Sequence, residues 1–335
     1  MRWTKGEWKG LPYQEVGAVW AELEFQRYRS RRALNQSLCR FDIVQVISGT
    51  PAWALAVQDY QGPVALQMAT LVANERWTRL RQERGVRGAW LRLMTHVTTL
   101  MEQAALQRID AVFVENHWTY KQISQKYSEK TIFAPPGVDS DYFYPVSYQP
   151  DSYILSVGRF SDPRKNTRLL FEAYYHLRQA MPDAPKLILA GLTSPLQNDL
   201  DYAISVGIAS EIEIRQDVSV AELRSLYQNA SLFVLSSDEE GLGIVILEAM
   251  ACGVPIVSTS CGGPETSIVE GETGYLVPVG DALELALKMQ YVLQDAPLRQ
   301  QMSQACRQTV ERRFSIASAG KVYVEKYDAL MDKAV

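Results

Sequence analysis

The 335-residue chain contains no uninterrupted apolar run approaching 18 residues, so no part of it is expected to cross a membrane as a helix. Its opening, Met1-Arg2-Trp3-Thr4-Lys5-Gly6, is not followed by the apolar core of a secretory signal. Only four cysteines occur, Cys39, Cys252, Cys261 and Cys306, without the paired spacing of a zinc site or a disulfide framework. Reduced, buried thiols are expected, which suits the cytoplasm. The three histidines, His96, His117 and His176, form no cluster, and no metal site is expected. Repeats and low-complexity runs are missing too. What remains is a globular composition, 47% apolar and 21% charged, long enough for two domains of ordinary size.

The net charge of −4 conceals an asymmetry. Residues 1–150 hold 18 Lys+Arg against 14 Asp+Glu, while residues 151–335 hold 16 against 24. A basic front half could face an anionic membrane or acceptor; ordinary solvated helix faces account for it as well. A nucleic-acid partner is not expected. The arginines concentrate in a segment from Asn74 to Leu106, which reads as helix broken near Gly85 or Gly88. There Arg76, Arg79, Arg81, Arg84, Arg87 and Arg92 accompany Trp77, Trp90, Leu91 and Leu93. A basic helix with tryptophans can lie on a membrane surface. Because the spacing makes no clean single face, a helix packed on a sheet with its arginines in water is the commoner outcome.

Residues 1–13 read as an irregular lead-in and residues 14–38 as helical. Strands are expected at Asp42–Ile47, Pro63–Met68, Asp110–Glu115 and Thr131–Ala134, before a turn at Pro135-Pro136-Gly137-Val138-Asp139. Beyond it, strands at Tyr153–Val157, Lys186–Ala190, Glu211–Arg215, Leu232–Leu235 and Pro255–Thr259 alternate with helices such as Thr167–Gln179 and Ala221–Gln228. That alternation argues for a parallel sheet covered on both faces, with ligands at the carboxyl ends of its strands.

The most informative stretch is Ser236-Ser237-Asp238-Glu239-Glu240-Gly241-Leu242-Gly243-Ile244-Val245-Ile246-Leu247-Glu248-Ala249-Met250-Ala251-Cys252-Gly253-Val254-Pro255. A glycine-containing loop lets backbone approach a ligand, and the apolar helix Ile244–Ala251 is stopped by Gly253 and Pro255. Glu248 inside that helix costs desolvation unless it has a partner. Two carboxylates, Glu240 and Glu248, with free N–H groups at the helix start, suit a polyhydroxylated, phosphate-bearing ligand. Earlier, Gly158-Arg159 closes a strand and Lys165 follows. A lysine near a helix N-terminus is unfavourable unless an anion joins it, and arginine can bind phosphate bidentately.

These motifs resemble those of retaining glycosyltransferases of family 4. The resemblance lies in the Glu-x7-Glu spacing of Glu240 and Glu248, the Glu-Gly-x-Gly turn, the Glu-Ala-Met-Ala-Cys-Gly-x-Pro tail and the Gly-Arg…Lys pair. It implies the α/β GT-B fold: two Rossmann-like domains whose parallel sheets face a cleft. Residues 1–150 would form an acceptor-side domain, residues 151–315 the nucleotide-sugar domain, and a last helix, about 316–335, would pack back on the first. The implied reaction moves a sugar from a nucleotide-diphosphate sugar, of UDP or GDP type, to an acceptor hydroxyl with retention, without cofactor or metal.

By this resemblance Arg159 and Lys165, beside Gly158, hold the diphosphate. Glu240 and the backbone of Gly241, Leu242 and Gly243 hold the sugar, Glu248 the ribose hydroxyls, and Gly191 and Val218 lie by the base. Leu242 stands where the family usually has Phe, and Pro136 where Asn is common. Near Ala69 and Thr70 the family's histidine is missing; His117 is the nearest alternative, with a core or surface role the commoner reading. The family's opening strand and glycine-rich loop are also missing, so the first domain is expected to be incomplete. The acceptor would be a saccharide or lipid-linked, the chain cytoplasmic or peripheral at the inner membrane face. The alternatives are a truncated, non-catalytic protein that binds a nucleotide sugar, or a partner covering the incomplete domain, and a nucleotide-sugar epimerase.

Overall fold

Strands that are aliphatic along their whole length dominate the chain because a strand covered on both faces has no solvent side. The computed structural model describes residues 3–8, 10–17, 21–146 and 153–332. They fall into two units. Unit 1 comprises Met1–Glu115, Thr119–Phe133 and Val324–Val335, and unit 2 comprises Asn116–Trp118 and Ala134–Tyr323. The passage between them comes at Phe133 and Ala134, ahead of the residue 150 expected from the sequence.

Unit 1 opens with an antiparallel hairpin, β1 (Trp3–Trp8) and β2 (Leu11–Val16). This replaces the irregular lead-in and the start of the helix expected from residue 14. Short helices Glu24–Arg27 and Arg32–Leu38 follow; the expected helical positions Val19 and Trp20 lie outside the described residues. Four parallel strands then line up in chain order: β3 (Val44–Ser48), β4 (Val64–Met68), β5 (Ala111–Val114) and β6 (Thr131–Phe133). The expected long helix is three: Val72–Glu75, Trp77–Gln82 and Gly85–Arg108. Leu66, Met68, Val112 and Val114 of the sheet pack with Ala105, Leu106 and Ile123, the last from the helix His117–Tyr127, which sequence reasoning did not anticipate.

Unit 2 contains six parallel strands: β7 (Ile154–Arg159), β8 (Leu187–Thr193), β9 (Ile212–Gln216), β10 (Leu232–Leu235), β11 (Ile256–Thr259) and β12 (Gly274–Val277). Their spatial order is β12-β11-β10-β7-β8-β9. Within the unit this is the doubly wound order of a Rossmann fold, whose chain reverses direction between its first and fourth strands. Here that reversal lies between β7 and β10, so a ligand crevice is expected at their carboxyl ends. Helices Thr167–Ala180, Val220–Gln228 and Ile244–Ala251 cover the sheet close to the expected bounds. β12 was not foreseen.

The last helix runs Ile316–Met331; the residues expected beyond 332 lie outside the described residues. Tyr323 donates from its hydroxyl to the carbonyl of Ala134 at 2.8 Å. Tyr327, in unit 1, bonds the Gln45 side chain and packs edge-on against Phe113. Cys252, Cys261 and Cys306 are buried and free, but Cys39 is exposed, contrary to the expectation of burial.

At Gly191 the backbones of β7 and β8 come so close that a Cβ would stand 1.9 Å from the Gly158 carbonyl oxygen. No rotamer relieves a backbone contact. Gly191→Ala is therefore expected to destabilise unit 2 by about 1–3 kcal/mol and to push the Gly158-Arg159 turn outward. Thermal unfolding checks the first effect, and a wild-type melting temperature in the variant would refute it.

Candidate functional site

The site grows from two loops that leave adjacent strands. β7 ends in Gly158-Arg159 and runs into the helix Thr167–Ala180, capped by Asn166. β10 ends at Leu235, and the loop Ser236–Gly243 leads into the helix Ile244–Ala251. Asn166 holds a left-handed conformation (φ 44°), and its side-chain oxygen accepts from the N–H of Leu169 at 3.1 Å. Gly243 caps the second helix at φ 77°, a backbone state that side chains resist.

Side chains stitch the loops together. Ser236 donates from Oγ to the carbonyls of Lys165 (2.9 Å) and Asn166 (3.2 Å). Asn166 Nδ2 donates to Asp238 at 2.8 Å, and the Asp238 N–H donates to the Arg164 carbonyl at 2.7 Å. Arg164 bridges Asp162 (2.8 Å) and Glu239 (2.9 Å). Burial works against the Asp162 charge, yet the hydrogen bonds and charge of Arg164 leave its carboxyl below the usual range. Asp238, with only Asn166 to offset burial, is raised. Arg164 was not singled out from the sequence, although its place beside Lys165 in an acid-facing loop was a signal.

Inside this frame Lys165 and Glu240 form an ion pair with little exposure of either side chain, and Ser237 Oγ donates to the same Glu240 oxygen at 2.7 Å. Arg159, 3.5 Å from Asp162, is 61% exposed, so it stands at the rim. The aliphatic stem of Lys165 lies against Gly158. Behind Glu240, the Gly241 carbonyl accepts from Asn116 Nδ2 at 2.5 Å. Asn116 is 1% exposed and was missed, because nothing near it in sequence forms a motif. His117 donates from its backbone to Thr266; burial, and then the charge of Arg313, lower its ring pKa.

Glu248 sits within the helix that follows. Burial raises its carboxyl pKa, and a 2.8 Å hydrogen bond from Tyr227 Oη limits the rise. Tyr227 is fully buried between Phe143 and Phe233, so it fixes one Glu248 oxygen rigidly. The Gly191 carbonyl accepts from the N–H of Asp217, next to Val218 in sequence, at 3.0 Å, and Val218 packs on the core. Leu242 differs from the other positions, since its side chain is core at 2% exposure and only its backbone faces the loop. Two Asp-x-Asp spacings are used locally. Asp139 accepts from the N–H groups of Asp141 and Tyr142, and Asp199 pairs with Arg168.

Chemically, the arrangement offers cations on one loop, carboxylates on the next, and a helix start directly behind a glycine turn. Anionic groups suit the first and last of these, and hydroxyl groups the second.

Residues 143–309 match the family model of Glycosyl transferases group 1. A D-inositol 3-phosphate glycosyltransferase from Paenarthrobacter aurescens is 33% identical over 182 residues, 50% of this chain and 44% of that protein. The chain spans about half the length of the curated relatives it matches. Sucrose-phosphate synthase from Thermosynechococcus elongatus superposes with a TM-score of 0.75 at 21% identity, over 93% of this chain and 81% of that one. The structure of HepE from Anabaena in complex with UDP and glucose gives 0.69 at 18% identity, over 89% and 80%. At those identities the likeness is one of fold: α/β, with the Rossmann-like parallel sheets of GT-B proteins.

Proposed function

We propose that this chain, whose residues 143–309 belong to the glycosyl transferases group 1 family, moves a sugar from a nucleoside-diphosphate sugar to an acceptor hydroxyl with retention at the anomeric carbon. The observation that carries this reading is the Lys165–Glu240 pair, with Ser237, at the carboxyl ends of the two strands flanking the sheet's reversal point. A diphosphate entering there would compete for Lys165 and draw in Arg159 from the rim. Glu240, released from its counter-charge, would accept hydrogen bonds from sugar hydroxyls. The free oxygen side of Glu248, opposite Tyr227, would take the ribose hydroxyls.

As the glycosidic bond breaks, negative charge grows on the leaving diphosphate. On this reading Lys165, Arg159 and the dipole of the helix Ile244–Ala251 would meet that charge, and no divalent metal would be needed. Relatives named for glycosyl transfer to D-inositol 3-phosphate, and the binding of UDP and glucose by HepE, support a nucleoside-diphosphate sugar as donor and a hydroxyl-rich acceptor.

Calorimetric titration with UDP, GDP and ADP tests the reading. One nucleotide is expected to bind, at least tenfold more weakly to Glu248→Ala. Release of sugar from the matching nucleotide sugar would then identify the donor. No binding of any nucleotide, or equal binding by Glu248→Ala, would overturn the site. Binding without transfer would leave a nucleotide-sugar-binding protein.

A further inference from the structure

The helix Gly85–Arg108 buries one mixed face and carries an apolar stripe on the other. Gly88, Thr95, Thr98, Glu102, Ala105 and Leu106 are buried against unit 1. At 100° per residue the opposite side carries Val86, Trp90, Leu93 and Leu100, which are 87%, 57%, 51% and 52% exposed. The half-buried Val97 lies between them. Over the rise of a helix this stripe is about 20 Å long. It explains why the sequence shows no clean amphipathic pattern: the polar face expected opposite the core is itself apolar.

Its surroundings are basic. Residues 76–101 hold six arginines and one glutamate. Arg87 and Arg92 are exposed on the same helix, Arg84 is exposed at its N-cap, and Arg79 and Arg81 are exposed on the preceding helix. Trp77 on that helix is 61% exposed, with the Arg81 guanidinium 5.5 Å from its ring centre. Aliphatic residues in a line, tryptophans beside them and guanidinium groups at the borders match the depth profile of a lipid interface: acyl chains, carbonyl region and anionic headgroups in turn.

We propose that this outer face docks on an anionic lipid bilayer. The stripe sits at the acyl boundary, and Arg84, Arg87 and Arg92 contact the phosphates. Trp90 also rims a crevice of about 520 Å³ lined by Tyr28, Trp53, Glu24 and Arg76, so a docked bilayer lies against the mouth of that crevice. The proposal is independent of the transfer reaction.

Co-sedimentation of the full chain with phosphatidylcholine vesicles, with and without phosphatidylglycerol, tests it. Binding to the anionic vesicles is expected, weakened by salt. Replacing Arg84, Arg87 and Arg92 by Ser should lower partitioning by roughly fivefold per arginine. Trp90→Ser with Leu93→Ser should abolish it, while thermal unfolding stays at the wild-type temperature because these side chains are solvent-facing. Failure to bind anionic vesicles, or equal binding by the Trp90/Leu93 variant, overturns the proposal. So does a wild-type dimer that becomes monomeric in that variant, since a second copy would then cover the stripe.

Discussion

Lys165→Ala is expected to reduce sugar transfer by roughly a hundred- to a thousandfold, the effect of removing one group that meets charge developing in a transition state. The same change leaves Glu240 poorly hydrated with Ser237 alone, so stability should fall by about 2 kcal/mol. The two losses can be separated. In Lys165→Ala with Glu240→Gln the uncompensated charge is gone, and the melting temperature should recover while transfer does not. Single-turnover rates and thermal unfolding on the single and double variants give the coupling directly. Activity that returned with stability would show that Lys165 only holds the loop.

Glu102→Gln is expected to stabilise the protein at alkaline pH. Burial raises the Glu102 carboxyl pKa to about 8, against the opposing hydrogen bond from Val72 N–H at 2.8 Å and the charge of Arg76. Arg76 is itself paired with Glu24, which also accepts from Thr98, so little of its charge is left for Glu102. The folded-state value lies above the unfolded one. Stability from this group is therefore complete below about pH 4.5 and drains away as pH rises toward and through 8. By about pH 9 the loss is on the order of 4 kcal/mol, or roughly 10 °C in melting temperature. Gln keeps the acceptor for Val72 without a proton to lose, so its unfolding should lack this slope. Parallel pH profiles for the two proteins would mean that Glu102 is already ionised at neutral pH.

Local signals located the elements that carry the chemistry. The helix Ile244–Ala251 lies at its expected bounds because Gly243, Gly253 and Pro255 mark both ends within a few residues. The break before Gly85 follows from the same kind of punctuation. The strands β7, β10 and β11 were legible as short aliphatic runs. By contrast, β1 reads as Trp, Lys, Gly and Glu, and only its register with β2 makes it a strand. β12 is half-buried at a sheet edge, where the apolar signal thins.

Residue types and their spacing were thus determined by the sequence alone: a lysine and an arginine after one strand, two glutamates eight apart after another. Which of them meet was decided by tertiary structure. Lys165 and Glu240 are 75 residues apart, and they pair because β10 adds beside β7 rather than beside β9. Strand order is a property of the whole sheet, which no window of sequence contains. Tyr227 on Glu248 and Asn116 on Gly241 are contacts of the same kind. The outer stripe of the helix Gly85–Arg108 is another case. Periodicity places Val86, Trp90, Leu93 and Leu100 on one side, but only packing decides that this side is left to solvent.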